Sequence, residues 1–257
     1  MRTDTANTHA EINLTDEEVA ISEKLRHLKM SGMADAFEKQ MLDPNVDLKS
    51  FMERFSQIVD NEWQVRNDKK FNRNLKKARL RNPEATFDDT LYDPARKLDT
   101  ELIERLAKCE WIDESRNLLI TGMTGSGKTY ISNALCITAL RRMKTVLYIK
   151  ASYLMLELEK ARIKSTYLDY IEKIGKLDLL VIDDFGLMDL DQDKCRDLFE
   201  VIDSRDGRKS TIVISQLPVK SWFDIFKEHT YADAVLSRLT DKRHSLRLEM
   251  NGISMRA

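Results

Sequence analysis

Turn-forming residues are scarce in this sequence: 8 Gly and 4 Pro among 257 residues, about 5% together where an average soluble chain carries roughly 12%. So few residues suited to tight turns argue against sandwiches, barrels and disordered linkers, and favour a helix-rich chain. The 3 Cys (Cys109, Cys136, Cys195) are odd in number and far apart. That spacing excludes a zinc site or a disulfide framework and fits a reducing compartment. No stretch approaches the ~18 apolar residues of a membrane span, and the N-terminal MRTDTANTHAEINLTDEE has no apolar signal core, so a cytoplasmic location is expected. An excess of one charge is missing too. Net charge is −1, with 20 basic and 24 acidic side chains in residues 1–117 and 22 and 19 in residues 118–257. The overall balance therefore gives no argument for nucleic acid and leaves open only a local basic patch.

Two textures follow one another along the chain. Thr15 with Glu18 reads as a capping box opening a first helix, which ends at Ser31-Gly32. A second helix is expected from Ala34 to Leu42. A long one follows from Leu48 to Arg81, with Phe51, Phe55, Ile58, Val59, Trp63 and Phe71 as core positions and Asn82-Pro83 as its stop. Residues 83–98, holding two prolines and Asp88-Asp89, read as a linker. From 117 onward short apolar runs (NLLIT, TVLYIK, LDLLVIDD, STIVIS, SLRLEM) alternate with helical patterns at 128–142, 152–163, 166–174, 192–205 and 221–240. Such alternation predicts an α/β domain with a parallel sheet flanked by helices. The expected organisation is a small all-helical N-terminal domain (1–82), the linker (83–98) and an α/β domain (99–257).

The scarce glycines are unevenly placed, three of them within six residues. Gly122-Met123-Thr124-Gly125-Ser126-Gly127-Lys128-Thr129 satisfies G-x-x-x-x-G-K-[ST] between an apolar strand and a helical stretch that opens at Lys128 and runs on past Tyr130. Glycines allow successive backbone N–H groups to face phosphate oxygens, and the following helix adds the positive end of its dipole. In this scheme Lys128 neutralises the β- and γ-phosphates of ATP and the Thr129 hydroxyl takes a position on Mg²⁺. The dinucleotide pattern G-x-G-x-x-G fails, since Tyr130 stands where its third glycine belongs. Fifty-five residues after Lys128, the apolar run Leu179–Ile182 ends in Asp183-Asp184. An open α/β sheet delivers such carboxylates to the phosphate loop, Asp183 toward Mg²⁺ and Asp184 toward the attacking water. Alone, an apolar strand ending in Asp-Asp is more often a strand meeting solvent; the phosphate loop at this separation turns the reading to the metal site.

Residues 66–81 hold eight basic side chains and one acid, Asp68. On a helical wheel Arg66, Lys69, Lys70, Arg73, Lys76, Lys77 and Arg81 fall within roughly 140° of arc, opposite Phe71, Leu75 and Ala78. A solvated face, an acidic partner and the phosphate backbone of a duplex all remain open on this pattern. No zinc pattern, RNA-binding aromatic signature or helix-turn-helix motif accompanies it.

The runs ITGMTGSGKT, LLVIDDFG and TIVISQLP together resemble the IstB family of transposition helper ATPases, relatives of the DnaC helicase loader within the AAA+ class. Weaker upstream matches (LKMSGMADAF, NEWQVRNDKKFNRNLKKARLR, EATFDDTLYDPARKLD) extend the likeness over nearly the whole chain. The resemblance implies an AAA+ ATPase that binds ATP and Mg²⁺, forms an ATP-dependent homo-oligomer on double-stranded DNA with little sequence preference, hydrolyses ATP slowly and delivers target DNA to an IstA-like transposase. It makes the basic stripe the DNA face. Ser215-Gln216 become the residues that read the γ-phosphate. Arg238, with Arg243 in reserve, becomes the arginine that a neighbouring subunit inserts. Only 19 residues follow Arg238, too few for the helical lid of many AAA+ proteins. AAA+ proteins usually have Glu where this chain has Asp184, and IstB-like sequences tend to have Asp there, so the residue supports the family while its shorter side chain leaves the hydrolysis rate open. Three competitors stand beside this reading: a DnaC-like helicase loader, a small-molecule phosphotransferase that needs neither stripe nor oligomer, and a nucleotide-gated binding module that hardly hydrolyses ATP.

Overall fold

The computed structural model describes residues 13–88 and 98–250. The chain divides into two compact units between Lys70 and Phe71. In the first, α1 (Asp16–His27) opens on the expected capping box, with Glu18 N donating to Thr15 Oγ1 at 3.3 Å and Thr15 N to Glu18 Oε2 at 2.7 Å. Ser31-Gly32, expected as a break, is instead the first turn of α2 (Ser31–Met41). Gly32 permits a close crossing with α3 (Phe51–Ala78), since a Cβ there would lie 2.8 Å from Glu62 Cα. Buried Glu62 accepts from Met33 N at 3.1 Å and so satisfies a donor in the first turn of α2, where its charge also suits the helix dipole.

The expected core on α3 needs correction. Phe51, Phe55, Val59 and Trp63 are exposed, Phe51 and Trp63 by 73% and 68%. Periodicity marks an apolar face without saying what covers it, and the two short helices of this unit bury only part of it. The last eight residues of α3 belong to the second unit, where Phe71, Leu75, Ala78 and, just beyond, Leu80 join the core. A boundary drawn at residue 82 follows the end of the helix, whereas the packing partner changes inside it. The helix also stops at Ala78 rather than Arg81, with Arg79 at φ +57°. Residues 89–97 of the expected linker lie outside the described residues.

The second unit continues with α4 (Thr100–Ala107), capped by the Asp99 side chain, and α5 (Glu110–Asp113). Strand and helix then alternate: β1 (Asn117–Gly122), α6 (Lys128–Arg141), β2 (Val146–Lys150), α7 (Ala151–Ile163), α8 (Tyr167–Gly175), β3 (Leu179–Phe185), α9 (Gln192–Asp203) and β4 (Ser210–Ser215). α10 (His229–Thr240) and β5 (Ser245–Met250) complete it. The five strands form one parallel sheet in the order β2-β3-β4-β1-β5. Both faces are covered: Leu118, Ile120, Leu179, Val181, Ile212 and Ile214 point into one core, and Leu119, Leu180, Ile182 and Val213 into the other. This is the expected fold. The order puts β1 between β4 and β5, with β3 next to β4, so the carboxyl ends of β1, β3 and β4 share one edge. The helix expected over 221–240 is shorter. Two 3₁₀ turns (Val219–Ser221, Phe223–Ile225) precede α10, where fully buried Trp222 packs edge-on against Phe185 and anchors the chain. Among the described residues no helix follows α10.

Candidate nucleotide-binding site

The loop between β1 and α6 carries its glycines where the backbone requires them. Gly122 has φ +150°, and a Cβ there would lie 2.3 Å from the Met250 carbonyl oxygen; Gly125 and Gly127 have φ +84° and +91°. Gly127 leads directly into α6, so the free N–H groups of its first turn face the loop. Met123 and Thr124 are exposed at the tip and Ser126 is buried. Lys128 is only 7% exposed, and its ammonium donates to Gly122 O at 2.6 Å and Met123 O at 2.7 Å. Burial lowers its pKa, against the opposing pull of the Asp183 and Asp184 charges. The Tyr130 hydroxyl accepts from Thr86 N at 3.3 Å, so this side chain holds the segment after α3 instead of facing the loop.

The carboxylates arrive on β3. Asp183 is 2% exposed; its Oδ2 accepts from the Tyr148 hydroxyl and its Oδ1 accepts from Asp184 N at 2.8 Å. Tyr148 stands on the neighbouring β2, whose Lys150 pairs in register with Asp183. Burial and then the Asp183 charge raise the Tyr148 pKa far above its ordinary value, keeping it a donor. Beyond Ile182 the β3–β4 register slips, and Asp184 sits at φ +57° with Oδ2 2.6 Å from the Lys150 ammonium. One hydroxyl and one carboxylate suit Mg²⁺, which keeps several waters and shares phosphate oxygens. Among the described residues no cluster of three His, Cys, Asp or Glu could hold a cation without such help.

On β4 the expected pair separates in role. Ser215 is 1% exposed; its hydroxyl donates to Phe185 O at 2.6 Å and accepts from Leu217 N at 3.1 Å, a backbone brace turned away from the loop. Gln216 does reach the loop, its Oε1 accepting from Thr124 Oγ1 at 2.7 Å.

Comparison with known proteins fits this geometry. The model of the IstB-like ATP binding protein family matches residues 23–257. The chain belongs to that family. It is 36% identical over 234 residues to an insertion sequence ATP-binding protein of Sinorhizobium fredii, covering 91% of this chain and 94% of that one. It is 38% identical to the IS1162 ATP-binding protein of Pseudomonas fluorescens, over 76% and 84% of the two chains. In fold this IstB-like chain is similar to the DnaC helicase loader (TM-score 0.52, 15% identity, 67% of this chain and 100% of that one). It is also similar to AMPPCP-bound DnaA from Aquifex aeolicus (TM-score 0.55, 19% identity, 66% of this chain), of which it spans about half, 51%.

Arg238 of the IstB-like chain is held within its own unit: Nη2 donates to Asp203 Oδ1 at 2.7 Å, Nη1 to Ala234 O at 2.8 Å, and the guanidinium lies 4.9 Å from the Phe199 ring centre. Arg243 is the exposed one, its side chain 83% accessible and paired with Asp241 at 3.0 Å. In the basic stripe Arg73, Lys76 and Lys77 are exposed while Phe71, Leu75 and Ala78 face inward, as the wheel requires. In the first unit Arg66 donates to Glu62 Oε1 at 2.6 Å and to Lys29 O at 3.2 Å, Lys69 donates to Ser31 Oγ at 3.4 Å, and Lys70 is exposed. Arg81 departs from the stripe and lies beside Asp183. Tyr148 and Lys150 escaped the sequence reading. Their one signal was their place in TVLYIK, the run that pairs with the carboxylate strand.

No helix among the described residues is long and apolar enough to cross a membrane.

Proposed function

We propose that this protein is an ATPase that binds ATP with Mg²⁺ at residues 122–129, assembles on duplex DNA through the basic face of α3 and presents target DNA to an IstA-like transposase. The observation that carries the ATPase reading is the placement of buried Lys128, in the first turn of α6, and buried Asp183, on β3, with the glycine loop at the carboxyl edge of one parallel sheet. Backbone N–H groups of the loop and Lys128 would bind the phosphates, and Thr129 and Asp183 would hold Mg²⁺, which when bound neutralises charge on the transferring group. Asp184 would orient the attacking water, and Gln216 would report on the γ-phosphate through the loop.

Asp184→Asn tests this directly. Asn tolerates the same φ > 0 backbone, so the substitution removes charge while sparing the bulge. ATP hydrolysis is expected to fall by about 10²-fold or more with analogue binding retained; unchanged turnover would show that this carboxylate plays no part and favour a nucleotide-gated binding module.

DNA binding is expected to be non-specific and salt-sensitive. Replacing Lys76 and Lys77 by Ala should shallow the slope of log affinity against log salt by about 1.8, roughly 0.9 per lost phosphate contact. Strong preference for one duplex sequence would contradict it. The fold likeness to DnaC supports a second reading, a helicase loader, which predicts stronger binding to single than to double strands. For completion of the site between subunits, exposed Arg243 is better placed than Arg238 to reach a neighbour, and sedimentation with ATP analogue and DNA tests the assembly.

A further inference from the structure

Arg81 is the member of the basic stripe that the helix does not carry. α3 ends at Ala78, Arg79 takes φ +57°, and the chain leaves the helical path before Arg81. The segment that follows is pinned to α6, with Asn82 N donating to Asn133 Oδ1 at 3.1 Å and Thr86 N to Tyr130 Oη at 3.3 Å, and with Ala85 buried. Arg81 is thereby turned so that Nη1 lies 3.8 Å from Asp183 Oδ2, the oxygen that also accepts from Tyr148. The Arg81 side chain is 52% exposed and the carboxylate 3%. The guanidinium therefore reaches a buried anion from a position still open to solvent, four residues beyond Lys77.

One cationic side chain thus lies beside the carboxylate assigned to Mg²⁺ while half-exposed and four residues from the end of the stripe assigned to DNA. A guanidinium and a divalent cation beside one buried carboxylate repel each other, and with the carboxylate buried and the guanidinium half-exposed solvent and salt screen that repulsion only in part. We propose that Arg81 is a charge switch: Arg81 and Mg²⁺ are alternatives at Asp183, and binding of Mg²⁺ with nucleotide releases Arg81 to a DNA phosphate beside Arg73, Lys76 and Lys77. The DNA half rests on the reading of the stripe given above. By linkage the effect is reciprocal, so DNA that takes up Arg81 favours Mg²⁺ and nucleotide at the site.

Two measurements on the full chain test it. In the first, binding of a fluorescent non-hydrolysable ATP analogue is titrated with Mg²⁺ in the absence of DNA. Arg81→Ala should lower the Mg²⁺ concentration for half-maximal binding by about 5-fold, the lower end of typical coupling between two sites, while Arg81→Lys, which keeps the charge, stays near wild type. An unchanged or raised requirement in Arg81→Ala would overturn the competition. In the second, the salt slope of duplex binding is measured with and without the Mg²⁺ analogue complex. The nucleotide-induced steepening should be larger in wild type than in Arg81→Ala by about 0.9, one phosphate contact. Equal steepening, with the Lys76/Lys77 effect intact, would overturn the switch and spare the DNA reading. Loss of the Lys76/Lys77 effect would overturn the DNA reading itself, and the first measurement would still decide the competition at Asp183.

Discussion

Lys128→Ala is expected to weaken binding of a non-hydrolysable ATP analogue by at least ~30-fold, corresponding to the roughly 2–5 kcal/mol lost when one partner of a buried charge contact is truncated. Lys128 is buried at the first turn of α6, with Gly122 O and Met123 O as its present acceptors. Those acceptors belong to the loop that would wrap the phosphates, so the ammonium is already at the place where β- and γ-oxygens would arrive. Its charge is held in a setting that disfavours it, so an anionic ligand has much to offer it. Lys128→Arg should bind no better than the alanine variant, because a planar fork cannot take the place of a compact ammonium among two carbonyls. Equilibrium titration of fluorescent analogue, with circular dichroism to verify folding, checks the result. Near-wild-type affinity in Lys128→Ala would refute the assignment of this loop.

The largest effect on stability is expected at a residue with no part in the site. Arg205, 1% exposed, donates to Ile174 O, Leu177 O and Ser210 O and to Thr211 Oγ1. It staples the end of α8 and the turn before β3 to the start of β4. Burial lowers its pKa to about 9, with the nearby Asp178 charge pulling the other way, so it remains a cation at neutral pH. Arg205→Ala would strand several buried acceptors and open a cavity, at a cost of about 3–5 kcal/mol, a large share of the roughly 5–15 kcal/mol that holds a domain folded. Arg205→Lys should recover little, since one ammonium cannot reach acceptors arranged around a fork. Chemical denaturation of the full chain measures both, and a loss under ~1 kcal/mol for the alanine variant would show that water replaces the guanidinium.

What the sequence disclosed and what it withheld divide by the range of the interactions. The glycine turn from β1 into α6 was legible because its requirements are local: three glycines, a lysine and a threonine fixed in spacing between a strand and a helix. Asp183 was legible because parallel sheets present carboxylates at the carboxyl ends of their strands. The five strands showed as short β-branched runs between helical periods. Arg205 and Tyr148 gave no such signal, for their partners lie on other elements that only the folded chain brings near. The exposure of Phe51 and Trp63 was hidden for a related reason, since an apolar stripe looks alike whether covered or bare. Ser215 was ambiguous in sequence because a polar residue closing a buried strand can turn inward to the backbone, as its bond to Phe185 O does, as readily as outward to a ligand. At Arg81 the helical wheel itself misled. It assumes regular geometry to the end, and the helix had stopped three residues earlier.

The slip in β3 bears on which acid can stand at position 184. A backbone at φ +57° admits Asp and Asn several-fold more readily than other side chains that have a Cβ, because their short polar groups bond locally. Glu, the usual acid of the class at this place, would gain reach toward a water molecule and lose that accommodation. Asp184 thus suits the chain's geometry independently of the role proposed for it. In a laboratory selection for faster turnover, the route would run through the residues shaping the slip, Ile182 to Phe185, before a longer acid could be tolerated.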